Sequence, residues 1–360
     1  MAHSKPLHGG NLQDAIDQYG GRGEQWLDLS TGISPYAWPV EQHLSQVPQS
    51  CWHHLPEREY LQQSAAVWAD YYRFLIADLK PEQVVLSAGS QALIQQLPVF
   101  FSGQIFQRSI TDLQVWTLAG SYGEHVYQWQ QSGAQVKEKS LDELNHLLLR
   151  LKYNEAVDLP DILILINPDN PSGQCWSHQQ IALLQQKLSA NYGWLILDAA
   201  FAEVSNNQPL QLRDNTLVLT SVGKFFGLAG LRIGAAFIGE QYCDVLKQRL
   251  GPWPVSGLSL WLATQALSDT SWQMKNRQKL QRIHRLMLEA CAELPVVGSS
   301  DLFITLEHPN VEQWQQKMVQ QKIWTRCFKE QKRLRIGMPE FNRFEKVRTV
   351  LKQLDITKYK

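Results

Sequence analysis

Long apolar runs are missing from this chain of 360 residues, and so is any excess of charge. No stretch approaches the roughly 20 apolar residues that span a bilayer. Lys plus Arg number 34 against 34 Asp plus Glu, with no Lys/Arg block. The electrostatic footprint of a nucleic-acid or anionic-membrane binder is therefore absent. Cysteine is scarce and scattered: Cys51, Cys175, Cys243, Cys291 and Cys327 form no CxxC pair and no Cys/His spacing that would seat zinc. They read as buried small residues in a reducing compartment, and no metal is expected. The opening MAHSKPLHGG lacks the apolar core of a secretory signal, so the expectation is a cytoplasmic protein. Internal repeats and low-complexity segments are also lacking. What is there is a globular composition, 44% hydrophobic and 19% charged. A chain of this size buries a core without disulfides. Small molecules are the expected ligands.

Short apolar runs alternate with longer stretches whose apolar residues recur at three- and four-residue spacing. That is the pattern of a mostly parallel sheet covered by helices, an α/β fold. Strands are predicted over Val84–Ser87, Val115–Leu118, Ile162–Ile166, Trp194–Leu197, Leu217–Thr220 and Arg232–Ile238. Helices are predicted over Gln91–Phe100, Glu124–Gln131, Leu141–Leu151 and His178–Ala190. After Gly251-Pro252-Trp253-Pro254 comes a long helical stretch, Leu258–Leu294. Strands at Leu302–Leu306 and Leu334–Ile336 follow, with helices at Val311–Gln321 and Phe341–Leu354. The expected division is an N-terminal arm and lid over 1–40, a large domain over 41–255 and a smaller α+β domain over 256–360.

Four predicted strand ends carry unusual residues, and in open α/β sheets ligands bind at the carboxyl ends of strands. Ser87-Ala88-Gly89-Ser90-Gln91 runs from a strand into a helix, where free N–H groups and the helix dipole make an anion seat. Asn167-Pro168-Asp169-Asn170-Pro171-Ser172-Gly173 fixes the backbone after a strand and aims an amide above it. Asp198 closes Trp194-Leu195-Ile196-Leu197, a setting that costs a carboxylate dearly unless a cation or strong donor meets it. Taken singly, these read as a helix cap, a turn and another cap. The fourth, Ser221-Val222-Gly223-Lys224-Phe225-Phe226, sets one lysine beside two aromatics directly after a strand, with Arg232 eight positions on. Lysine desolvated in this way has a lowered pKa and becomes a nucleophile toward carbonyl groups.

In this combination the chain resembles the fold-type I pyridoxal-phosphate enzymes of the aspartate aminotransferase superfamily across nearly its whole length. The resemblance implies pyridoxal 5'-phosphate as cofactor, carried by Lys224 of the Ser-x-x-Lys motif. It implies that Arg232, Ser221, Gly89, Ser90 and Gln91 bind the phosphate, that Asn170 bonds the phenolic oxygen and that Asp198 keeps the pyridine nitrogen protonated. Tyr122, in Ser121-Tyr122-Gly123-Glu124, would stack on the ring. Arg335, in Leu334-Arg335-Ile336-Gly337, would grip a substrate α-carboxylate. A homodimer with shared active sites is implied too, with Trp52 or His54 as the aromatic that crosses between subunits.

Further segments narrow the likeness. His8-Gly9-Gly10-Asn11, Asp28-Leu29-Ser30-Thr31-Gly32-Ile33-Ser34-Pro35, Trp52-His53-His54-Leu55-Pro56-Glu57 and Ala88-Gly89-Ser90-Gln91-Ala92 are similar to the threonine-phosphate decarboxylases of cobalamin biosynthesis. This implies decarboxylation of L-threonine O-3-phosphate to (R)-1-amino-2-propanol phosphate. His8, Gly9 and Gly32 would then belong to a segment that closes over a small phosphorylated amino acid. The substrate phosphate needs a further cation, for which Arg326 is the first choice and Lys332 or Arg333 the others. Some positions depart from the family pattern: Asp169 and Ser172 stand for Asn and Thr, and Ser34 stands for Asn. Asp198-Ala199-Ala200-Phe201 lacks the usual Glu and offers no Tyr hydroxyl, which leaves Asn170 with more of the task. Histidinol-phosphate aminotransferases share the same lysine, aspartate and arginines and form the competing enzyme reading. A catalytically inactive regulator with this fold is the alternative of another class.

Overall fold

Strands without a polar residue need both faces covered. In the computed structural model of the chain, residues 9–205 and 208–354 are described, and His8 lies outside them. The strands Ile162–Ile166 and Trp194–Asp198 are buried at every position. They occupy the middle of a seven-stranded sheet. Numbered along the chain, its strands are β1 (Val84–Ser87), β2 (Gln114–Leu118), β3 (Gln135–Lys139), β4 (Ile162–Ile166), β5 (Trp194–Asp198), β6 (Thr216–Ser221) and β7 (Gly234–Phe237). Their spatial order is β1-β7-β6-β5-β4-β2-β3. Only β7 runs against its neighbours; the other pairings of this sheet are parallel.

The period of two along each strand divides the core. Leu163, Leu165, Leu195 and Leu197 join one apolar cluster, while Ile162, Ile164, Trp194 and Ile196 join the other, on the opposite face. Helices α1 (Ser90–Phe100), α2 (Gly123–Gln131), α3 (Leu141–Lys152) and α4 (His178–Ala190) connect the strands. Ser140 and Ser177 start α3 and α4 with capping boxes, each accepting a backbone N–H two or three residues into its helix.

The predicted strand Arg232–Ile238 begins two residues later, because Arg232 has φ +51°, outside the extended range. The helical stretch expected over Leu258–Leu294 is two helices, α5 (Gly257–Ser268) and α6 (Thr270–Ala290). The break is at Asp269, whose carboxylate accepts the Trp272 N–H at 3.0 Å as an N-cap and the Trp38 indole N–H at 3.1 Å. The strand β3 was not anticipated: Gln-Val-Lys-Glu-Lys alternates too weakly, as suits an edge position.

A second, antiparallel sheet of four strands follows: β8 (Val296–Ser300), β9 (Phe303–Glu307), β10 (Arg326–Phe328) and β11 (Arg333–Gly337), in the order β8-β9-β11-β10. Helices α7 (Val311–Gln320) and α8 (Phe344–Leu351) join α6 and this sheet in one apolar cluster, with Trp314 and Val347 from the first two beside Ile304 and Ile336 from the strands. The chain's beginning attaches here. Leu27 and Asp28 pair in parallel with Ile323 and Trp324, and Gly337 N–H donates to Leu29 O at 2.8 Å.

One edge of the large sheet gathers the chemistry. The carboxyl ends of β1 and β6 lie level with the start of β7, since Gly234 is in register with both Ser87 and Ser221. The ends of β4 and β5 lie beside them through the pair Ile166 and Asp198. Leu165, 1% exposed on the central strand β4, tests the core. Leu165→Ala should lower stability by about 2–5 kcal/mol, read as a fall in the denaturation midpoint. A change below about 1 kcal/mol would mean the site can collapse around the missing atoms.

Candidate active site

The anion seat is built by close backbone approach. Gly89 has φ +75°, and a Cβ there would stand 2.9 Å from Arg232 Nη2. A Cβ on Gly234 would stand 2.8 Å from Ser90 N and 2.6 Å from Thr220 O. Bare glycines at both positions let the antiparallel strand β7 press Arg232 against the N-terminus of α1. There the unpaired N–H groups and the helix dipole add to the guanidinium. Ser221, at the end of β6, borders the same space.

Asp198 ends β5 with 3% exposure. Its Oδ1 accepts the Ala200 N–H at 3.1 Å, and its Oδ2 lies 2.9 Å from His125 Nε2. His125 is a functional neighbour that the sequence reading missed. Its signal was the spacing: it lies one turn beyond Tyr122 on α2, so both side chains face the same side. His125 Nδ1 has no hydrogen-bond partner among the described residues.

Lys224 follows β6, with its amine 5.5 Å from the centre of the Phe201 ring. Its carbonyl accepts the Ser34 N–H at 2.9 Å, and the next carbonyl, of Phe225, accepts Asn276 Nδ2 at 2.9 Å. Burial pushes the Lys224 amine down to about 8; the Arg335 and Arg232 charges add to this and Asp198 opposes it. Burial raises the Tyr122 hydroxyl, with the Glu124 and Asp198 carboxylates adding.

Arg335, on β11, is 6% exposed and lies against Asn170: its Nη1 donates to Asn170 Oδ1, and its Nη2 to Ser30 O. With its oxygen engaged, the Asn170 amide has only its NH2 to offer a ligand. Burial pushes Arg335 down to about 10, with the Arg326 charge adding and Asp28 opposing. Arg326 sits directly across from Arg335 in the β10–β11 pairing. Like charges directly opposite on a sheet destabilise it, and an anion between them reverses the sign.

Gly89, Ser90, Gln91, Tyr122, Asn170, Asp198, Ser221, Lys224 and Arg232 all line one cavity of about 150 Å³. Of the other candidates, Gly32 lies against Phe201, where a Cβ would come within 2.8 Å of the ring. Gly9 lies against Ser30 O, the atom Arg335 holds, and Gly10 N–H donates to Ser30 Oγ at 2.8 Å. Trp52 is 54% exposed, and neither it nor His54 lines the cavity. Asp169, read as a mild departure, is buried; it accepts Ser121 Oγ, Ser172 Oγ and the Ser172 N–H, and so ties the Tyr122 turn to the Asn170 loop.

The donor set fits pyridoxal 5'-phosphate. A helix N-terminus with Arg232 suits a phosphate, a buried amine that loses its proton more readily than an ordinary lysine suits an aldehyde, and a buried carboxylate suits a protonated pyridine nitrogen. Residues 25–352 match the aminotransferase class I and II family, and the chain belongs to it. It is 34% identical over 339 residues to a threonine-phosphate decarboxylase of Pseudomonas aeruginosa, covering 92% of each chain. A threonine-phosphate decarboxylase from a Sinorhizobium species is 32% identical, over 89% of this chain and 90% of the relative. Among solved structures, the histidinol-phosphate aminotransferase from Sinorhizobium meliloti in complex with pyridoxal-5'-phosphate superposes with a TM-score of 0.77. At 17% identity, over 98% of this chain and 96% of that one, it speaks for the fold alone.

The Lys224 environment gives a pH signature. The folded amine loses its proton near pH 8, whereas an unperturbed lysine does so near 10.5. The unfolded chain therefore binds more protons between these values, and the fold gains stability as pH rises through that window. In the cofactor-free protein, acylation of Lys224 followed by peptide mass spectrometry should rise through about pH 8. Labelling that tracks surface lysines would refute the desolvated setting.

Proposed function

We propose that this protein is a pyridoxal-phosphate-dependent carboxy-lyase that converts L-threonine O-3-phosphate to (R)-1-amino-2-propanol phosphate, a step of cobalamin biosynthesis. The observation that carries this reading is the likeness to threonine-phosphate decarboxylases over nine-tenths of the chain, with lysine, aspartate and arginine around one cavity. When bound, the cofactor supplies an electron sink for the pair released at the substrate Cα.

The chain's residues do the rest. Lys224 would attach the cofactor through its amine and is the group placed to return a proton to the substrate Cα. Asp198, oriented by His125, would hold the proton on the ring nitrogen, and Asn170 Nδ2 would donate to the ring oxygen. Ser221, Arg232 and the α1 N-terminus at Gly89, Ser90 and Gln91 hold the cofactor phosphate, while Tyr122 packs on the ring. Arg335 would take the substrate carboxylate and set its direction, and that direction would decide whether the C–C or the C–H bond at Cα is broken. A buried guanidinium whose Nε has no partner among the described residues supports an anion there. Arg326, across the sheet from Arg335, takes the substrate phosphate. The segment through Gly9 and Gly32, packed on Ser30 and Phe201, closes this side and excludes water.

The same reading includes a homodimer, a cytoplasmic location and the division into 1–40, 41–255 and 256–360. The separate seven- and four-stranded sheets, the pairing of residues 27–28 with Ile323 and Trp324, and the Gly337 N–H to Leu29 O bond support that division.

Product analysis decides the reaction. Incubated with pyridoxal phosphate and L-threonine O-3-phosphate, the protein should release carbon dioxide and aminopropanol phosphate, identified by mass spectrometry. No product, with conversion of the cofactor to its amine form on adding glutamate, would make it an aminotransferase; inertness toward both would favour a non-catalytic role. Lys224→Ala should leave no cofactor attached to the chain after borohydride reduction and denaturation. Arg326→Ala should raise KM for the phosphorylated substrate about 10- to 100-fold, as expected for a lost charged hydrogen bond, with pyridoxal phosphate affinity unchanged. An unaltered KM would move the substrate phosphate elsewhere.

A further inference from the structure

Glu124 stands in the first turn of α2, where a carboxylate suits the positive end of the helix. It is nevertheless 4% exposed, a burial that is costly unless strong donors meet it. Two amides do. Gln128 Nε2, one turn along the same helix, donates to Glu124 Oε2 at 3.1 Å, and Gln91 Nε2 donates to the same oxygen at 2.6 Å. Gln91 comes from a different helix, α1, and lines the cavity.

A carboxylate can only accept, so it dictates which end of the Gln91 amide faces it. The carbonyl end is then turned to Tyr122, whose hydroxyl lies 3.4 Å from Gln91 Oε1. An amide oxygen can only accept in its turn, so the Tyr122 hydroxyl donates. A chain of fixed polarity runs from a buried charge that touches no ligand to the aromatic side chain on the cavity wall. Gln91 is the middle link and also belongs to the first turn of the anion-binding helix.

We propose that Glu124 is a positioning residue that acts through Gln91, fixing the amide in one orientation and thereby the stance of Tyr122 against the cofactor ring. This rests on the reading that pyridoxal phosphate occupies the cavity with Tyr122 on its ring. A carboxylate with only a packing role would support α2 without being coupled to Gln91.

The test compares wild type, Glu124→Gln, Gln91→Ala and the double variant, each loaded with pyridoxal phosphate. The readouts are visible circular dichroism per mole of bound cofactor, which reports how asymmetrically the ring is held, and the cofactor Kd. Glu124→Gln keeps the shape but presents an amide that tolerates either orientation of Gln91. It should lose at least about half of the dichroic amplitude and weaken cofactor binding about fivefold, the size expected for residues sharing one network. Gln91→Ala should do the same, and the double variant should be no worse than Gln91→Ala alone. In turnover, kcat should fall with little change in KM. Losses that multiply in the double variant, or a Glu124→Gln protein with wild-type dichroism and affinity, would overturn the inference. Should Gln91→Ala fail to fold, the Glu124→Gln dichroism alone decides. A wild-type protein that binds no pyridoxal phosphate would overturn the underlying reading and this inference with it. Normal loading with independent effects overturns the inference alone.

Discussion

The site depends on an imbalance of charge held away from water. Lys224 and Arg232 line a cavity whose lining carboxylate is Asp198, and the Arg335 charge acts on Lys224 from outside that lining, with Arg326 paired directly across from it. Cations crowded in a partly desolvated cavity repel one another far more than on a surface. Desolvation lowers the pKa of Lys224 and of Arg335, and neighbouring cations add to both shifts. A lysine more easily deprotonated and an arginine held at a cost are consequences of one electrostatic arrangement.

The backbone must bring these charges together, and the antiparallel strand β7 does most of that. It enters between β1 and β6, so that the residues just before it meet the residues just after both neighbours. Arg232 and Gly89 are 143 positions apart in sequence yet within van der Waals contact. Asp169 performs a similar service on the other side of the ring site. Buried and surrounded by the Ser121 and Ser172 donors, it joins two loops that would otherwise be set independently. Its desolvation raises its pKa, with Ser121 foremost among the groups that counter the rise.

Much of this was legible in the sequence because the responsible signals are local. Short apolar runs announce central strands, and the first few residues after such a run stand at the carboxyl edge of the sheet; Asp198, Asn170 and Lys224, one to four positions beyond their runs, were picked out that way. What stayed hidden was fixed by partners distant in sequence. His125 meets Asp198 from 73 positions away, and its spacing from Tyr122 puts it on the right face without naming that partner. Glu124 stands at the start of a predicted helix, and its burial against Gln91 is a tertiary fact. The edge strand β3 carries too few apolar residues to show a period. The break at Asp269 was missed because the apolar spacing of α5 and α6 runs on across it; the aspartate serves as N-cap and as acceptor for Trp38, a residue 231 positions earlier.

The stitching of residues 27–29 to Ile323, Trp324 and Gly337 has a consequence for how the protein is made. During synthesis the first segment leaves the ribosome while the strand that receives it is still some 300 residues from being translated. The large sheet, complete by residue 237, can condense in the meantime, with its apolar faces provisionally covered. The contact of Arg335 with Ser30 comes late, by closure of a loop of 305 positions, a slow event on topological grounds. A truncated or stalled chain would therefore carry the lysine and the aspartate but not Arg335, and the buried amine would form before the guanidinium that helps to lower its pKa.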